Sequence, residues 1–266
     1  IFVIVRIKKL NSKNKLGIVT NLYGWVALLL VLLTCGMETG FFRFVNKKEE
    51  KEPMRIYVTT LAWIGALAVG FILFSLLLLR PIAGLISYTA PLEFLGMMLV
   101  ITAVDAFCCI PFAYLRYAGQ AYRFAGIKLL SIFLNIFLNI FFLLVCPWLQ
   151  NHYPAAVDWF YTPGYGVGYV FVANVFTTLF TLLCLLPDIL PGLRAKRNPE
   201  VLRQILRYSF PILLLGIAGI FNQTADKILF PFLYADKAYA NEQLGIYGAC
   251  FKIAVVMVMF TQALRY

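Results

Sequence analysis

The segment FAGIKLLSIFLNIFLNIFFLLVCP (residues 124–147) decides the fold class, because Lys128 is the one charged residue among its 24 positions. A helix needs roughly 20 mostly apolar residues to cross the hydrocarbon core of a bilayer. Six further segments satisfy the same condition. The predicted spans are 18–41, 56–79, 92–115, 124–147, 166–187, 208–232 and 244–264. The sequence therefore predicts an all-α polytopic membrane protein with seven spans.

The overall composition agrees with a membrane protein and excludes a soluble one. Hydrophobic residues make up 62% of the chain and charged residues 13%, whereas a soluble domain usually carries about 25% charged residues. A net charge of +11 is compatible with nucleic acid as a partner. We exclude nucleic acid because the cations are divided among separate gaps instead of lying on one soluble face. Membrane lipids are the expected surroundings.

Lysine and arginine are concentrated in every second gap between the predicted spans. The cation-rich gaps are 42–55, 116–123 and 188–207, and the cation-poor gaps are 80–91, 148–165 and 233–243. Cytoplasmic loops of membrane proteins carry an excess of lysine and arginine. We therefore predict that the three rich gaps face the cytoplasm and that the poor gaps face outward.

Both ends of the chain depart from this alternation. Residues 1–15 carry five cations, although the alternation places this segment on the outer side of the membrane. The last predicted span is followed directly by the C-terminus. We interpret the chain as a fragment of a longer transporter-like protein that lacks an upstream helix or begins with a disturbed segment.

The gap 188–207 is the best candidate for a boundary between two helical bundles. It is the longest cytoplasmic connection, and it contains the helix-breaking residues Pro191, Gly192 and Pro199. Within it, residues 200–207 (EVLRQILR) place apolar and cationic side chains on opposite sides, as in a short amphipathic helix at the membrane surface.

The common catalytic and cofactor-binding motifs are absent from the sequence. There is no GxxxxGK[ST] phosphate-binding loop, no GxSxG motif and no HExxH motif. The six cysteines form no CxxC pair, which favours buried apolar thiols over a metal site. We therefore expect no enzyme, no cofactor and no metal.

Polar residues form a stripe along the span 124–147. Lys128, Ser131, Asn135 and Asn139 are spaced by three, four and four residues, which places them on one face of a helix. A polar stripe inside the membrane lines a hydrophilic pathway or holds helices together by hydrogen bonds. The sequence leaves both interpretations open. A similar spacing of Asn174, Thr177 or Thr178, and Thr181 favours a structural role, because threonine satisfies its hydroxyl on its own helix.

Several charged or amide side chains also lie within or beside spans. Asn222 and Asp226 are four residues apart, and Asp226 needs a partner from another helix because Lys227 points about 100° away from it. Asp105 is the most deeply placed acid by sequence, and it is either structural or functional. The remaining candidates are Glu38 and Arg43 at the cytoplasmic end of the first span, and Lys252 in the middle of the last.

Four stretches resemble a known family of transporters. They are LGIVTNLYGWVALLLVLLTCGMETGFFRF (16–44), IPFAYLRYAGQAYRFAGIKLLSIFLNIFLNIFFLLV (110–145), YSFPILLLGIAGIFNQTADKILF (208–230) and LGIYGACFKIAVVMVMFTQALRY (244–266). They are similar to the polysaccharide-biosynthesis flippases, the Wzx-like O-antigen transporters of the multidrug/oligosaccharidyl-lipid/polysaccharide exporter superfamily, particularly to Bacteroidetes-type members. The resemblance covers roughly residues 16–266, and its motifs are loose and mostly hydrophobic.

The resemblance implies a helical bundle of the superfamily type, with about seven of an expected 12 to 14 helices. Residues 1–15 are then an anomalous segment and 16–190 a first bundle without its first helix. Residues 191–207 become a cytoplasmic linker, and 208–266 the start of a second bundle. A bacterial inner membrane is the implied location.

The resemblance also implies transport of an undecaprenyl-diphosphate-linked oligosaccharide, with other polysaccharide-assembly proteins as further partners. Its implied substrate pathway consists of Arg43, Arg116, Arg123, Lys128, Asn135, Asn139, Asn222 and Lys252. Its implied ion-coupling or structural acids are Glu38, Asp105 and Asp226.

Three other functions compete with this one. A drug/cation antiporter of the same fold predicts acid-rich spans, whereas the predicted spans hold few acids. A membrane-embedded polymerase or ligase predicts a large outer loop with clustered arginine and histidine, and the gap 148–165 has His152 and no arginine. A scaffold of polysaccharide assembly that does not transport also fits a shortened chain.

Overall fold

The computed structural model describes residues 13–46, 53–85, 91–152, 161–162, 165–166, 168–194, 198–233 and 237–263. Within these ranges the chain forms helices and no strand. The helices are α1 Lys13–Thr34, α2 Met37–Val45, α3 Pro53–Leu77, α4 Leu79–Leu85, α5 Leu92–Tyr117, α6 Ala121–Ile140, a π-helix Phe141–Val145, α7 Cys146–His152, α8 Gly168–Arg194, α9 Pro199–Leu233 and α10 Lys237–Ala263. The all-α prediction is confirmed. Of the anomalous segment 1–15, residues 1–12 lie outside the described part of the chain.

Six helical segments in the described part of the chain are long and apolar enough to cross a membrane. They are Val19–Val45, Pro53–Leu77, Leu92–Tyr117, Ala121–Gln150, Gly168–Pro191 and Pro199–Phe230. Each overlaps one of the first six predicted spans, so these six are confirmed in number and position. The seventh predicted span, 244–264, falls on α10, where the structure leaves many side chains undescribed. It stays a prediction.

The first span is broken, which the sequence did not predict. Cys35 and Gly36 separate α1 from α2, and both adopt positive φ angles of 50° and 63°. A non-glycine residue in this left-handed region costs about 1–2 kcal/mol, whereas glycine adopts it freely. Gly36 also passes close to α9, because a Cβ atom there would lie 3.1 Å from the carbonyl oxygen of Ser209. The break lets α2 follow a direction of its own.

The predicted surface helix 200–207 is not a separate element, and that expectation is wrong in this respect. It forms the first two turns of α9, which runs for 35 residues without interruption. Asn198 caps this helix, because its side-chain oxygen accepts hydrogen bonds from the backbone N–H groups of Glu200 (3.0 Å) and Val201 (3.4 Å). Its amphipathic character is confirmed, since Ile205 is fully buried and Arg203 is exposed.

α5 is the centre of the bundle, and it packs against α3 and α8. In its membrane-spanning stretch 67% of the residues are buried, against 11% in the stretch that contains α6. α6 instead presents large apolar side chains such as Phe133 and Phe137, which are 71% and 63% exposed. Most of α5 is therefore enclosed by protein, whereas most of α6 is not.

The π-helix Phe141–Val145 begins two residues after Asn139, the last polar residue of α6. One-turn π-helices arise from an extra residue in an α-helix and are frequent near functional sites. Phe142 in this turn stacks on Tyr169 at 5.0 Å between ring centroids, and Tyr169 stacks on Tyr161 at 4.9 Å. The turn therefore directs an aromatic side chain from α6 onto the beginning of α8.

Contacts divide the chain into two compact units. The first unit comprises Ile1–Ala27 and Ile220–Tyr266, and the second comprises Leu28–Gly219. The boundaries of the units fall within α1 and within α9. In the first unit, the side-chain amide of Asn21 donates to the carbonyl of Lys227 at 2.8 Å. The predicted division into bundles at 191–207 stays a prediction.

We expect Gly40→Ala to destabilise the protein by about 1–2 kcal/mol through overpacking between α2 and α9. A Cβ atom at Gly40 would lie 2.4 Å from the Ser209 hydroxyl and 2.9 Å from a methyl group of Ile205. Ser209 is 1% exposed, so its hydroxyl has little room to move away. The measurement is the thermal unfolding of the purified protein in detergent, followed by tryptophan fluorescence.

The matched control is Gly126→Ala on α6, where an added Cβ atom meets nothing within 4 Å. The better helix propensity of alanine predicts an unchanged or slightly raised midpoint for this variant. Equal midpoints for the two variants would show that Gly40 is not required by close packing.

Candidate functional site

Polar side chains of α5, α6 and α8 meet inside the second unit. We call this set the polar seam, and it consists of Asp105, Lys128, Ser131, Asn135, Asn139, Asn174, Thr177, Thr178 and Thr181. All of its members lie on helices that are long and apolar enough to span a membrane. The polar stripes that the sequence predicts on two separate spans therefore face each other.

Hydrogen bonds connect α6 to α8 along the seam. The hydroxyls of Ser131 and Thr181 lie 2.7 Å apart. The amide of Asn135 donates to the side-chain oxygen of Asn174 at 2.6 Å, and Asn139 donates back to the carbonyl of Asn135 at 2.8 Å. The contacts of Ser131 and Asn135 are interhelical hydrogen bonds, whereas that of Asn139 lies within α6. A pathway role for Asn135 and Asn139 stays a prediction.

Asp105 and Lys128 are the charged members of the seam. Asp105, near the middle of α5, accepts a hydrogen bond from Thr178 at 3.2 Å. The ammonium group of Lys128 lies 4.1 Å from the centre of the Phe112 ring. Both side chains are exposed, so other parts of the described chain do not cover them.

Glu38 and Arg116 form an ion pair between α2 and α5. The thiol of Cys109 donates to the second oxygen of Glu38 at 3.1 Å. The guanidinium of Arg116 also lies 5.3 Å from the ring centres of Phe42 and Phe124, which is within the range of a cation–π contact. The carboxylate of Glu38 and the Arg116 cation therefore neutralise each other next to the seam.

Arg123 is held by an acid that the sequence analysis did not single out. One terminal nitrogen donates a hydrogen bond to a carboxylate oxygen of Asp188 at 3.0 Å, and the other lies 2.9 Å from the second oxygen as an ion-pair contact. The Asp188 side chain is 10% exposed, and the Arg123 side chain is 39% exposed. Asp188 follows Pro187 at the predicted end of a span, and the sequence offered no sign that it meets Arg123.

In the first unit, Asp226 and Lys227 of α9 form a second polar group with α10. The carboxylate of Asp226 accepts a hydrogen bond from Tyr247, which is the partner from another helix that Asp226 was expected to need. Lys227 was not singled out, yet it is buried. Its ammonium group donates to the Gln223 carbonyl at 3.1 Å and lies 3.6 Å from the ring centre of Phe251. It is also 4.0 Å from Asp226.

The other candidates are not members of the polar seam. Arg43 is stacked on Tyr208, 4.2 Å from its ring centre. Asn222 is exposed on α9, in the first unit. Lys252 lies on α10, and its side chain is outside the described part of the structure. No group of three or more metal-binding side chains occurs among the residues that the structure describes.

Comparison with protein families matches residues 10–264 to the family described as polysaccharide biosynthesis protein. The chain belongs to this family. No curated protein and no solved structure matched the chain in the corresponding searches. The resemblance found in the sequence is thereby confirmed. With six helices among its described residues that are long and apolar enough to cross a membrane, the protein is therefore a multi-pass membrane protein of polysaccharide biosynthesis.

In this polysaccharide biosynthesis protein, we expect Asn135→Ala to lower stability by about 1 kcal/mol. The change removes hydrogen bonds between α6 and α8, and such bonds in membrane proteins contribute about 0.6 kcal/mol on average and at most about 1.7 kcal/mol. The measurement is a double-mutant cycle with Asn174→Ala, read from unfolding in detergent. Asn222→Ala is the control, because Asn222 is exposed and outside the seam. Additive effects of the Asn135 and Asn174 changes would contradict a direct interaction.

Proposed function

We propose that this protein is a flippase that moves an undecaprenyl-diphosphate-linked oligosaccharide from the cytoplasmic to the outer leaflet of a bacterial inner membrane. The observation that carries the proposal is the exposed pair Asp105 and Lys128 on membrane-spanning helices. Charged side chains are costly in lipid and occur where they face a water-filled cavity or a partner. An aqueous cavity beside α5 and α6 accounts for two exposed charges at this depth.

The transported head group sets the physical requirement for such a cavity. A sugar chain with a diphosphate has to cross about 30 Å of hydrocarbon, and it carries hydroxyls and negative charges that lipid cannot solvate. The ammonium group of Lys128 supplies a positive charge for the diphosphate. Asn135 and Asn139 supply amide groups that exchange hydrogen bonds with sugar hydroxyls, while the polyprenyl tail remains in the bilayer.

The ion pairs at the ends of the same helices suit a transporter that alternates between two states. In the alternating-access mechanism one bundle rocks against the other around a central site. Arg116 and Arg123 are each paired with a carboxylate in the described structure. A diphosphate that enters from the cytoplasm competes with Glu38 and Asp188 for these arginines, so substrate binding and opening of the ion pairs are linked.

Protonation of an acid is the proposed link to an energy source. Asp105 and Asp226 are exposed carboxylates on spanning helices, and each accepts a hydrogen bond from a hydroxyl on another helix. Loss of the negative charge weakens such a hydrogen bond, because charged acceptors bind a donor more strongly than neutral ones. A proton bound at either acid therefore loosens a contact between two helices.

The test is the location of the lipid-linked glycan in cells that contain or lack the protein. We expect cells that lack it to keep the glycan lipid on the cytoplasmic side, where a glycan-binding protein added to intact spheroplasts does not reach it. Expression of the protein restores labelling from outside. Equal outside labelling in both cell types would refute the flippase, and absence of the glycan lipid from both leaflets would instead indicate a role in its synthesis.

A further inference from the structure

A depression of about 310 Å³ lies between the last turn of α2 and the early turns of α9, within the second unit. Its lining residues are Arg43, Phe44, Gln204, Arg207 and Tyr208. The volume is at the lower end of the range of about 300–1,000 Å³ found for small-molecule sites. Two guanidinium groups, an amide and a phenol line the depression, and none of the lining side chains is acidic.

The local structure explains why these side chains converge. Gln204, Arg207 and Tyr208 are spaced by three and four residues, so they share one face of α9. Arg43 extends from the last turn of α2, and its guanidinium lies 4.2 Å from the Tyr208 ring centre. Phe44 contacts the same ring edge to face at 6.3 Å. A guanidinium stacked on a ring keeps its N–H donors at its rim, where they are available to a ligand.

The positive charge of the depression is uncompensated in the described structure. Of the ion pairs found among the described residues, none involves Arg43 or Arg207. Arg203 lies one turn before Arg207 on α9 and is also exposed. Like charges four residues apart repel each other on a helix. A bound anion relieves this repulsion, and phosphate is the anion whose oxygens match the two-pronged donors of arginine.

We infer that this depression binds the phosphate of an anionic phospholipid of the cytoplasmic leaflet. Arg43 lies in the gap 42–55, and Gln204 and Arg207 lie in the gap 188–207, both of which the charge pattern predicts to be cytoplasmic. The next turns of α9 expose Phe210 and Leu214, at 60% and 53%, which are apolar surfaces for the acyl chains. The inference depends on this predicted orientation and is independent of the proposed glycan transport.

The site has a structural consequence for the helices that form it. Arg43 and Arg207 belong to different helices, so one bridging phosphate connects the end of α2 to α9. A ligand that binds only the folded state stabilises that state in proportion to the logarithm of its concentration. An anionic lipid therefore raises the thermal stability of the protein through these two arginines.

The test uses the purified protein in nanodiscs of phosphatidylcholine that contain increasing amounts of phosphatidylglycerol. Native mass spectrometry measures how much phosphatidylglycerol remains bound. We expect Arg43→Gln and Arg207→Gln each to weaken binding about fivefold, since each cation near an anionic lipid surface contributes a factor of this order. Tyr208→Leu weakens binding by releasing Arg43, whereas Tyr208→Phe keeps the ring and retains binding. Arg80→Gln is the control, because Arg80 is exposed on α4 in a cation-poor gap.

Three results would overturn the inference. The first is unchanged lipid retention in the Arg43→Gln and Arg207→Gln variants. The second is displacement of the bound phosphatidylglycerol by undecaprenyl diphosphate at lower concentration and through the same arginines, which would assign the site to the transported lipid. The third is full displacement by millimolar inorganic phosphate, which would assign it to a soluble anion. Circular dichroism checks the folding of each variant. If Arg43→Gln fails to fold, Arg43→Lys takes its place: it keeps the charge but loses the stacked two-pronged donors, so we expect weaker binding than in the unchanged protein.

Discussion

Replacing Lys128 by alanine is expected to lower glycan export at least about tenfold while the protein still inserts into the membrane. A charged hydrogen bond contributes about 1.5–3 kcal/mol, and 1.4 kcal/mol corresponds to a factor of ten. Lys128 is exposed on α6, and in the described structure its ammonium group contacts the Phe112 ring. Its removal therefore takes away the charge proposed to bind the diphosphate without leaving a buried acid unpaired.

The export measurement is labelling of the glycan from outside the cell, normalised to the amount of protein in the membrane fraction. Lys128→Arg keeps the charge and is expected to retain most of the export. Leu129→Ala is the matched control, because Leu129 is the neighbouring residue and is 58% exposed on the apolar surface of α6. Full export by the Lys128→Ala variant would remove this residue from the mechanism.

Asp226 offers a companion experiment in the other unit. Asp226→Asn is also expected to impair export without preventing insertion, because it removes the negative charge of the carboxylate. Tyr247→Phe removes the hydrogen bond to the same carboxylate and leaves the charge in place. Loss of export in Asp226→Asn but not in Tyr247→Phe would indicate that the charge matters, and equal loss in both would indicate a structural contact.

Replacing Arg123 by alanine is expected to destabilise the protein by about 2–3 kcal/mol. The Asp188 carboxylate is 10% exposed, and Arg123 contributes both of its terminal nitrogens to it. Removal of the arginine leaves the mostly buried Asp188 carboxylate without compensation, which costs more than the pair contributes. Thermal or denaturant unfolding of the purified protein in detergent measures the change.

A second substitution at Asp188 shows whether the lost stability comes from an uncompensated charge or from lost packing of the guanidinium. In the double variant Arg123→Ala with Asp188→Asn no charge remains, so we expect it to recover most of the lost stability. Arg203→Ala serves as the control, because Arg203 is exposed and forms no ion pair in the described part of the chain. A double variant as unstable as Arg123→Ala would mean that the guanidinium acts through packing and not through its charge.

The helical architecture and the periodic features were predictable because they depend on residues close together in the chain. Hydrophobic segments of sufficient length identified six spans, and spacings of three and four residues identified the stripe from Lys128 to Asn139. The same reasoning failed at Cys35 and Gly36, where a helix breaks in a continuous apolar segment. The break lies where Gly36 approaches Ser209 of α9, which is 173 residues further along the chain.

The family of the protein could also be predicted from the sequence, because four hydrophobic stretches in the right order resemble it. The contacts of single residues could not be predicted. Glu38 and Arg116 are 78 residues apart, and Arg123 and Asp188 are 65 residues apart. Nothing in the local pattern distinguishes Asp188, Lys227 or Tyr247 from other polar residues near the ends of spans.

The sequence by itself determined that the chain forms membrane helices, which faces of them are polar, and that the family is one of polysaccharide biosynthesis. Hydrophobicity and helical periodicity depend on residues within one or two helical turns of each other, so they can be read from neighbouring positions in the sequence. Only the tertiary structure decided which stripes meet, which acid neutralises which arginine, and which cations remain uncompensated. Those outcomes depend on distances of a few ångströms between residues that are far apart in the chain, and electrostatic and hydrogen-bond energies change steeply over such distances.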